Sequence, residues 1–449
     1  MGAIAGIAKP QMESLVNKML DKMAHRGPAG HTVFDVDDIT LGTSWTEMQA
    51  PHMNTIEEQG LVIDYVAESH LAQAQVKEGK LELTRDELGA APLYYGQMND
   101  ETLCFASEVK GLLEVTRDVN ILTPGHHYIA GEMKQYYNLK PLPQLKEKVD
   151  TIADELRSRL KDTVSDFAKE SDILGSWLSG GLDSSTLAAL VRPHLDKLHT
   201  FAAGFKGAPD VKYAREVADY IGSKHHEVIV TFDDLLKILP DVIYHLESFD
   251  ALLVRSSITN YLVAQEAAKY VPAVYSGEGA DELLAGYNYL KSVDEKKLAN
   301  ELIDITQRLH NTALQRVDRS ASAHGTIAHV AFLAPNVVDY ALRIPPRYKL
   351  QSDIEKWILR KAMLKKLPKP VALRTKAKFW EGAGVKNLFA QYANVQIEDE
   401  EFKRERTLPN GWILNSKEEL LYYRIFHQHF GELEDLSWMG RTKGAPKSP

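Results

Sequence analysis

Residues 172–190 read DILGSWLSGGLDSSTLAAL, an apolar run that breaks into Ser179-Gly180-Gly181-Leu182-Asp183-Ser184-Ser185 and passes into helix-forming residues. The pattern predicts a strand, a tight turn and a helix. Gly180 and Gly181 let the backbone turn sharply and approach a ligand closely, and a helix opening near Ser184 aims unpaired N–H groups at an anion. A phosphate chain fits such a cradle. No Lys follows the glycines in the manner of G-x-x-x-x-G-K-[ST], so attack at a terminal phosphate of the kinase or GTPase type is not indicated. Asp183 instead places a carboxylate in the loop, which suits a phosphate ligand when a hard cation such as Mg²⁺ lies between them.

A second loop of the same kind, Ser276-Gly277-Glu278-Gly279-Ala280-Asp281-Glu282, follows the apolar run Val271 to Tyr275. If both strands belong to one parallel sheet, Asp183 and Asp281 converge at the carboxyl edge, where open α/β sheets bind ligands, and could hold Mg²⁺ against a pyrophosphate. The competing reading is two unrelated turns with acidic N-caps. Around these loops the elements alternate as βαβ units: strands at 172–178, 198–205, 226–230 and 271–275, with a helix around Tyr213 to Ile221. This predicts a doubly wound sheet. Beyond Asn288 the pattern is helical, with an amphipathic stretch from Asp353 to Leu364 and no clear strands, so a helical cap over the sheet edge is expected.

The order and separation of SGGLDSS and SGEGADE resemble the synthetase domain of the asparagine synthetase family, within the wider group of ATP pyrophosphatases. The resemblance runs from MGAIAGI at the start to RTKAKFWEGAG near the end. It implies an N-terminal αββα sandwich of the Ntn type, a degenerate glutamine amidotransferase domain over residues 1–140. A parallel-sheet ATP pyrophosphatase domain follows over 150–449, with the junction at Lys140-Pro141-Leu142-Pro143. It also implies that ATP and Mg²⁺ activate a carboxylate as an acyl-adenylate, which ammonia or an amine converts to an amide.

Composition agrees. A chain of 449 residues is long for one core. Its net charge of −9 supplies no basic field for nucleic acid. One cysteine excludes an internal disulfide framework and a thiolate metal site, and no apolar span suits a membrane helix. A cytoplasmic location is expected, and family members are often homodimers. The basic tail from Arg441 reads as a free end.

Family motifs carry over residue by residue in the synthetase half. Ser179, Gly180, Gly181, Asp183 and Ser184 form the pyrophosphate cradle, and Asp183 and Asp281 the metal site. Trp177, Ala203 and Gly277 match positions whose backbone lines the adenine and ribose pocket. Glu278 matches a carboxylate near the acyl-adenylate, and Arg255 an Arg that contacts the substrate carboxylate or nucleotide. Lys376 matches a Lys that neutralises charge growing on the phosphates, with Lys378 as its competitor.

The N-terminus departs from the pattern. Glutamine-dependent members expose a cysteine after the initiator Met, whereas this chain has Gly2, and Cys104 lies in an apolar run as a buried structural thiol. His25-Arg26-Gly27-Pro28 and the Thr84-to-Tyr95 segment remain as fold markers, but Ile63-Asp64-Tyr65 stands where an Asn-Gly-Glu turn is usual. Glutaminase chemistry by the usual route is expected to be absent. Leu252 and Leu253 replace two threonines, and His329 and Ala334 replace an Arg and an Asp, through drift or through reshaping for another acid. Three functions compete: an ammonia-using asparagine synthetase, a ligase of the β-lactam synthetase or lasso-peptide cyclase kind, and a pseudoenzyme subunit. Glu278 favours intermolecular amidation, because β-lactam-forming relatives usually carry an aromatic residue there.

Overall fold

The computed structural model describes residues 2–50, 60–67, 70–375 and 387–442. In chain order the first part contributes β1 (Ala3–Ile7), α1 (Glu13–Lys22), β2 (Gly30–Val36), β3 (Ile39–Trp45), β4 (Leu61–Ala67), β5 (His70–Lys77), β6 (Lys80–Arg85), β7 (Tyr94–Gln97), β8 (Leu103–Ala106), α2 (Val109–Leu112), β9 (Asn120–Ile121), β10 (His126–Ile129) and β11 (Glu132–Gln135). These strands build two antiparallel sheets, ordered β2-β3-β1-β8-β7-β9 and β11-β10-β6-β5-β4. The period-two pattern of β5 turns His70, Ala72, Ala74 and Val76 inward. There Ala72, Ala74 and Val76 join Ile4, Leu41, Val62 and Leu83 in one core. Helices α1 and α2 pack together beside β1 and β8, burying Val16, Met19 and Leu112 with Cys104 and Ala106.

Two sequence landmarks of this part are structural pins. Arg85 donates to the carbonyls of Gly89, Ala91 and Leu122, and Asp86 accepts from the N–H groups of Leu88, Ala90 and Ala91. Buried polar groups need such partners, and here each side chain closes the loop that follows it. Cys104 is fully buried, its thiol donates to the Gly96 carbonyl, and burial pushes its pKa up to about 12. It is the inert thiol expected from the sequence.

The second part continues with α3 (Val149–Phe167), β12 (Ile173–Trp177), α4 (Leu182–Val191), β13 (Lys197–Phe205), α5 (Pro209–Ile221), β14 (Lys224–Val230), α6 (Phe232–Leu246), α7 (Ala251–Ala267), β15 (Ala273–Tyr275), α8 (Ala280–Leu284), α9 (Glu295–Gln307), α10 (Ala313–Ser322), β16 (Ile327–His329), α11 (Pro335–Arg343), α12 (Pro346–Lys349), α13 (Trp357–Met363) and α14 (Lys369–Ala372). Its sheet is parallel throughout, in the order β14-β13-β12-β15-β16. The winding reverses between β12 and β15, which pair as Gly175 with Val274 and Ser176 with Tyr275. That reversal opens the crevice in which doubly wound sheets bind ligands, and it brings the two sequence loops side by side. No described helix is long and apolar enough to cross a membrane.

Two expectations are corrected. Strand β16 lies beyond Asn288, where no strand was read. It is only three residues long, too short for a periodic signal, and is held by hydrogen bonds from Ile327 N to Pro272 O and from Ser276 N to His329 O. His329 is buried there, stacked on Phe167 at 4.3 Å between ring centres, so its side chain packs in the core. The chain end is also not free at its first residues: Arg441 pairs with Glu419, and Thr442 donates through N and Oγ1 to Asp250.

Lys349, on α12, is 3% exposed, and burial lowers its pKa to about 7 from 10.5. A cation whose folded pKa is depressed costs stability below that pH, and the cost fades as pH rises toward the unfolded value, because the unfolded chain then binds more protons than the folded one. Lys349→Met should therefore raise the unfolding midpoint more at about pH 6 than at about pH 10. Chemical denaturation at both pH values checks this, and an equal gain at both would contradict it.

Candidate active site

Strand β12 ends at Trp177, and Leu178 N still reaches Phe201 O of β13 at 2.7 Å. The chain then turns at Gly180, with φ +66°, where a Cβ would collide with Ala214 N and Tyr213 of α5. Only glycine satisfies both the left-handed backbone and that close approach. Gly181 caps α4, and two serines lock the turn. Ser179 N donates to Ser184 Oγ at 3.2 Å, Gly181 N donates to Ser179 Oγ at 3.3 Å, and the two hydroxyls lie 3.1 Å apart. The hydroxyls and the opening of α4 are thus fixed on the anion-facing side before any ligand arrives.

The second loop is fitted against the first. A Cβ on Gly277 would lie 2.9 Å from Ser184 N, so the two loops touch backbone to backbone. Asp183 and Asp281, both nearly buried, meet at a common partner, Lys356, whose Nζ lies 2.5 Å from Asp183 Oδ2 and 2.6 Å from Asp281 Oδ1. Lys356 is 2% exposed and has φ +52°, a left-handed conformation that is uncommon for a residue with a side chain and is held here at the start of α13. Asp183 and Asp281 thus present their carboxylates together at the sheet edge, with Lys356 as a shared partner. The hard oxygen donors are those Mg²⁺ prefers, and phosphate and water would have to complete its shell. Among the described residues no group of three or more His, Cys, Asp or Glu side chains could hold a metal.

The other site residues fall into three groups. Trp177 ends β12 opposite Phe201, and Ala203 lies two residues further along β13; both are buried. Glu278 forms an ion pair with Arg316 of α10. Next to it, burial beside Asp281 and Glu278 pushes the Glu282 carboxyl up to about 7, and Tyr287 donates its hydroxyl to it. Arg255, on α7, is engaged by Glu418 of the helix Lys417–Phe430. Lys376 and its competitor Lys378 lie outside the described residues. The chain approaches them through Arg374, which donates to Gly180 O at 3.2 Å, pairs with Asp210 and stacks over Tyr213 at 4.3 Å.

Lys356 and Arg316 were not read from the sequence. A signal for Lys356 existed: it lies three, four and seven residues before the buried Leu359, Arg360 and Met363, which puts it on the inward face of the amphipathic stretch.

The position before β1 is tightly held. Gly2 N donates to Asp64 Oδ1 at 3.1 Å, Gly2 O accepts from Arg26 Nε at 2.6 Å, and a Cβ on Gly2 would overlap the Ser44 carbonyl oxygen. Arg26 closes the group by donating to Asp64 Oδ2 at 2.8 Å.

Comparison with known proteins adds the family context. The asparagine synthase family model matches residues 155–302 and 291–445, and the glutamine amidotransferase domain model matches residues 71–144. The chain is 34% identical over 370 residues to asparagine synthetase B [glutamine-hydrolyzing] of Escherichia coli (strain K12), covering 77% of this chain and 67% of that protein. It is also 34% identical over 374 residues to asparagine synthetase [glutamine-hydrolyzing] 2 of Arabidopsis thaliana, covering 77% and 64%. The chain thus spans about two thirds of the length of the curated relatives it matches. The solved structure of NMN synthetase from Francisella tularensis aligns with a TM-score of 0.30 and 12% identity over 65% of this chain and 98% of that one, too distant to inform the site.

Removing the Lys356 ammonium takes away a buried partner that Asp183 and Asp281 share. Lys356→Met should destabilise the fold by about 3 kcal/mol or more, and added Mg²⁺ should recover part of the loss in a thermal unfolding experiment. An unchanged midpoint would contradict this role.

Proposed function

Since the chain belongs to the asparagine synthase family, we propose that it is an ATP-dependent amide-forming ligase that activates a carboxylate, aspartate being the first candidate, and takes its nitrogen from free ammonia. In this reading residues 1–140 are the amidotransferase-like domain and 150–449 the synthetase domain. The observation that carries the reading is the meeting of the Asp183 and Asp281 loops at the switch point between β12 and β15.

ATP would lie along Ser179 to Ser185, with its pyrophosphate on the loop amides and the Ser179 and Ser184 hydroxyls, and with its base and ribose against Trp177, Ala203 and Gly277. Asp183 and Asp281 would hold Mg²⁺, which when bound offsets phosphate charge. The substrate carboxylate attacks the α-phosphorus, forming an acyl–O–P bond as the α–β phosphoanhydride breaks and pyrophosphate leaves. Lys376, two residues after the Arg374 that grips the turn, would balance charge on the departing group. Arg255 would steer the substrate carboxylate. Ammonia then attacks the acyl carbon near Glu278, AMP departs, and a proton is released, in a site closed to water so that hydrolysis of the adenylate does not win.

Free ammonia as donor is supported by three features. Gly2 carries no nucleophilic atom, the space a side chain would need there is filled, and Cys104 is buried and bound to a strand carbonyl. A second reading, activation of an acid other than aspartate, is supported by Leu252, which is partly exposed at the start of α7. Leu253 is 2% exposed in the core, so its change is one of packing.

Pyrophosphate release from MgATP should require an acid substrate, and product amide should form with ammonium but not with glutamine. Turnover with another acid alone would select the second reading, and silence with every acid would reject the ligase assignment. Asp183→Asn should reduce pyrophosphate release by about 100-fold or more. Gly2→Cys should yield no glutaminase activity, and measurable glutamate release from glutamine would show that the filled pocket is not the obstacle.

A further inference from the structure

Helix α10 joins the N-terminal pocket to the loop that carries Glu278. Arg26 is fully buried and donates to five residues: Gly2 O through Nε, Asp64 through Nη2, Glu108 and Ser322 through Nη1, and Asp318 through both Nη1 and Nη2. Asp318 and Ser322 lie four residues apart on one face of α10. Arg319, next after Asp318, extends the grip by donating to Glu108 at 2.8 Å and Glu247 at 2.9 Å. Lys110 completes the group, between Glu108 and Glu247. Arg316 stands one turn before Arg319 on the same helix and forms the ion pair with Glu278.

A buried cluster of this kind adds little to stability against an apolar packing of equal volume, but it fixes geometry. The planar Arg26 fork, satisfied in several directions at once, leaves α10 one rotation and one height. Those two quantities decide where Arg316 meets Glu278. The N-terminal part would then serve the synthetase site although its own nucleophile is absent.

Building on the ligase reading above, we propose that Arg26 is a positioning residue for amide formation: it seats α10 through Asp318 and Ser322 and thereby holds Arg316 against Glu278. Carboxylate activation uses the Asp183 cradle with Gly277 and Asp281, which rest against Ser184 N and Lys356, whereas Arg316 contacts Glu278. The proposal therefore predicts a split between the two steps.

Arg26→Lys keeps the charge and loses the fork. In the full chain, with MgATP, the active acid and ammonium, it should lower amide formation by about 10- to 100-fold while pyrophosphate release continues, so the ratio of pyrophosphate to amide rises as the adenylate is lost to water. Arg316→Gln should raise the same ratio, and the double variant should be no worse than Arg316→Gln alone, as expected for residues acting through one contact. A ratio that stays at the wild-type value, an equal loss of both steps, or independent effects that multiply in the double variant would overturn the proposal. If Arg26→Lys does not fold, Ser322→Ala removes one of the two α10 anchors and is read by the same ratio. Amide hydrogen exchange supplies a readout that needs no turnover: the amides of Glu278 and Gly279 should exchange faster in the variant and residues 179–185 should not, and the reverse would also overturn it. Silence of the wild-type chain with every acid would reject the ligase reading, whereas wild-type turnover with an unmoved ratio would reject only the positioning role.

Discussion

The Lys356 ammonium pairs at once with two nearly buried aspartates, Asp183 and Asp281, at the carboxyl edge of the parallel sheet. Two carboxylates set this close repel, the more strongly where they are buried, and the shared ammonium offsets that repulsion. At the same place Gly277 lies against the backbone of Ser184. The features on which the proposed nucleotide site is built share that closeness: the glycine turn, the paired serine hydroxyls and the opening of α4 on one side, and the Glu278 loop on the other. The topology supplies the approach, because the sheet reverses its winding between β12 and β15, and the ion triad lies where the two loops meet.

The N-terminal part shows the same physics turned to another purpose. Asp64 accepts from Gly2 N and from Arg26, and the space a side chain at position 2 would need is taken by the Ser44 carbonyl. Three cations, Arg26, Lys110 and Arg319, face four carboxylates, Asp64, Glu108, Glu247 and Asp318, in a cluster drawn from both parts of the chain. Burying so many charges is costly, and it is tolerable only because nearly every proton and lone pair has a partner. Such a cluster ties the two parts together, with the Arg of His25-Arg26-Gly27-Pro28 at its centre.

Much of this was legible in the sequence because local chemistry and tertiary role coincide. The SGGLDSS turn is readable since Gly180 needs a left-handed backbone and the following residues form a helix. The parallel strands are readable as short apolar runs between helical stretches. Cys104 was placed in the core by its apolar neighbours alone. What escaped reading depends on long-range placement. Lys356 lies 173 residues from Asp183 in sequence, and nothing in Ile354-Glu355-Lys356-Trp357 names its partners, although the helical phase puts it on the buried face. Arg316 is one more Arg on an amphipathic helix until the fold sets it beside Glu278. Strand β16 is three residues long and exists only because β15 offers its edge. Lys376 and Lys378, assigned by resemblance, fall outside the described residues, and Arg374 on the Gly180 carbonyl is the nearest fixed point.

The most direct test of adenylate formation is transfer of ¹⁸O from a labelled substrate carboxylate into AMP during turnover with MgATP and ammonium. Attack of the carboxylate on the α-phosphorus leaves its oxygen on AMP when nitrogen expels the nucleotide, so the predicted result is one labelled oxygen in each AMP and none in pyrophosphate. Unlabelled AMP, or ADP formed together with labelled phosphate, would contradict it, because the carboxylate would then not have attacked the α-phosphorus held over the Asp183 cradle.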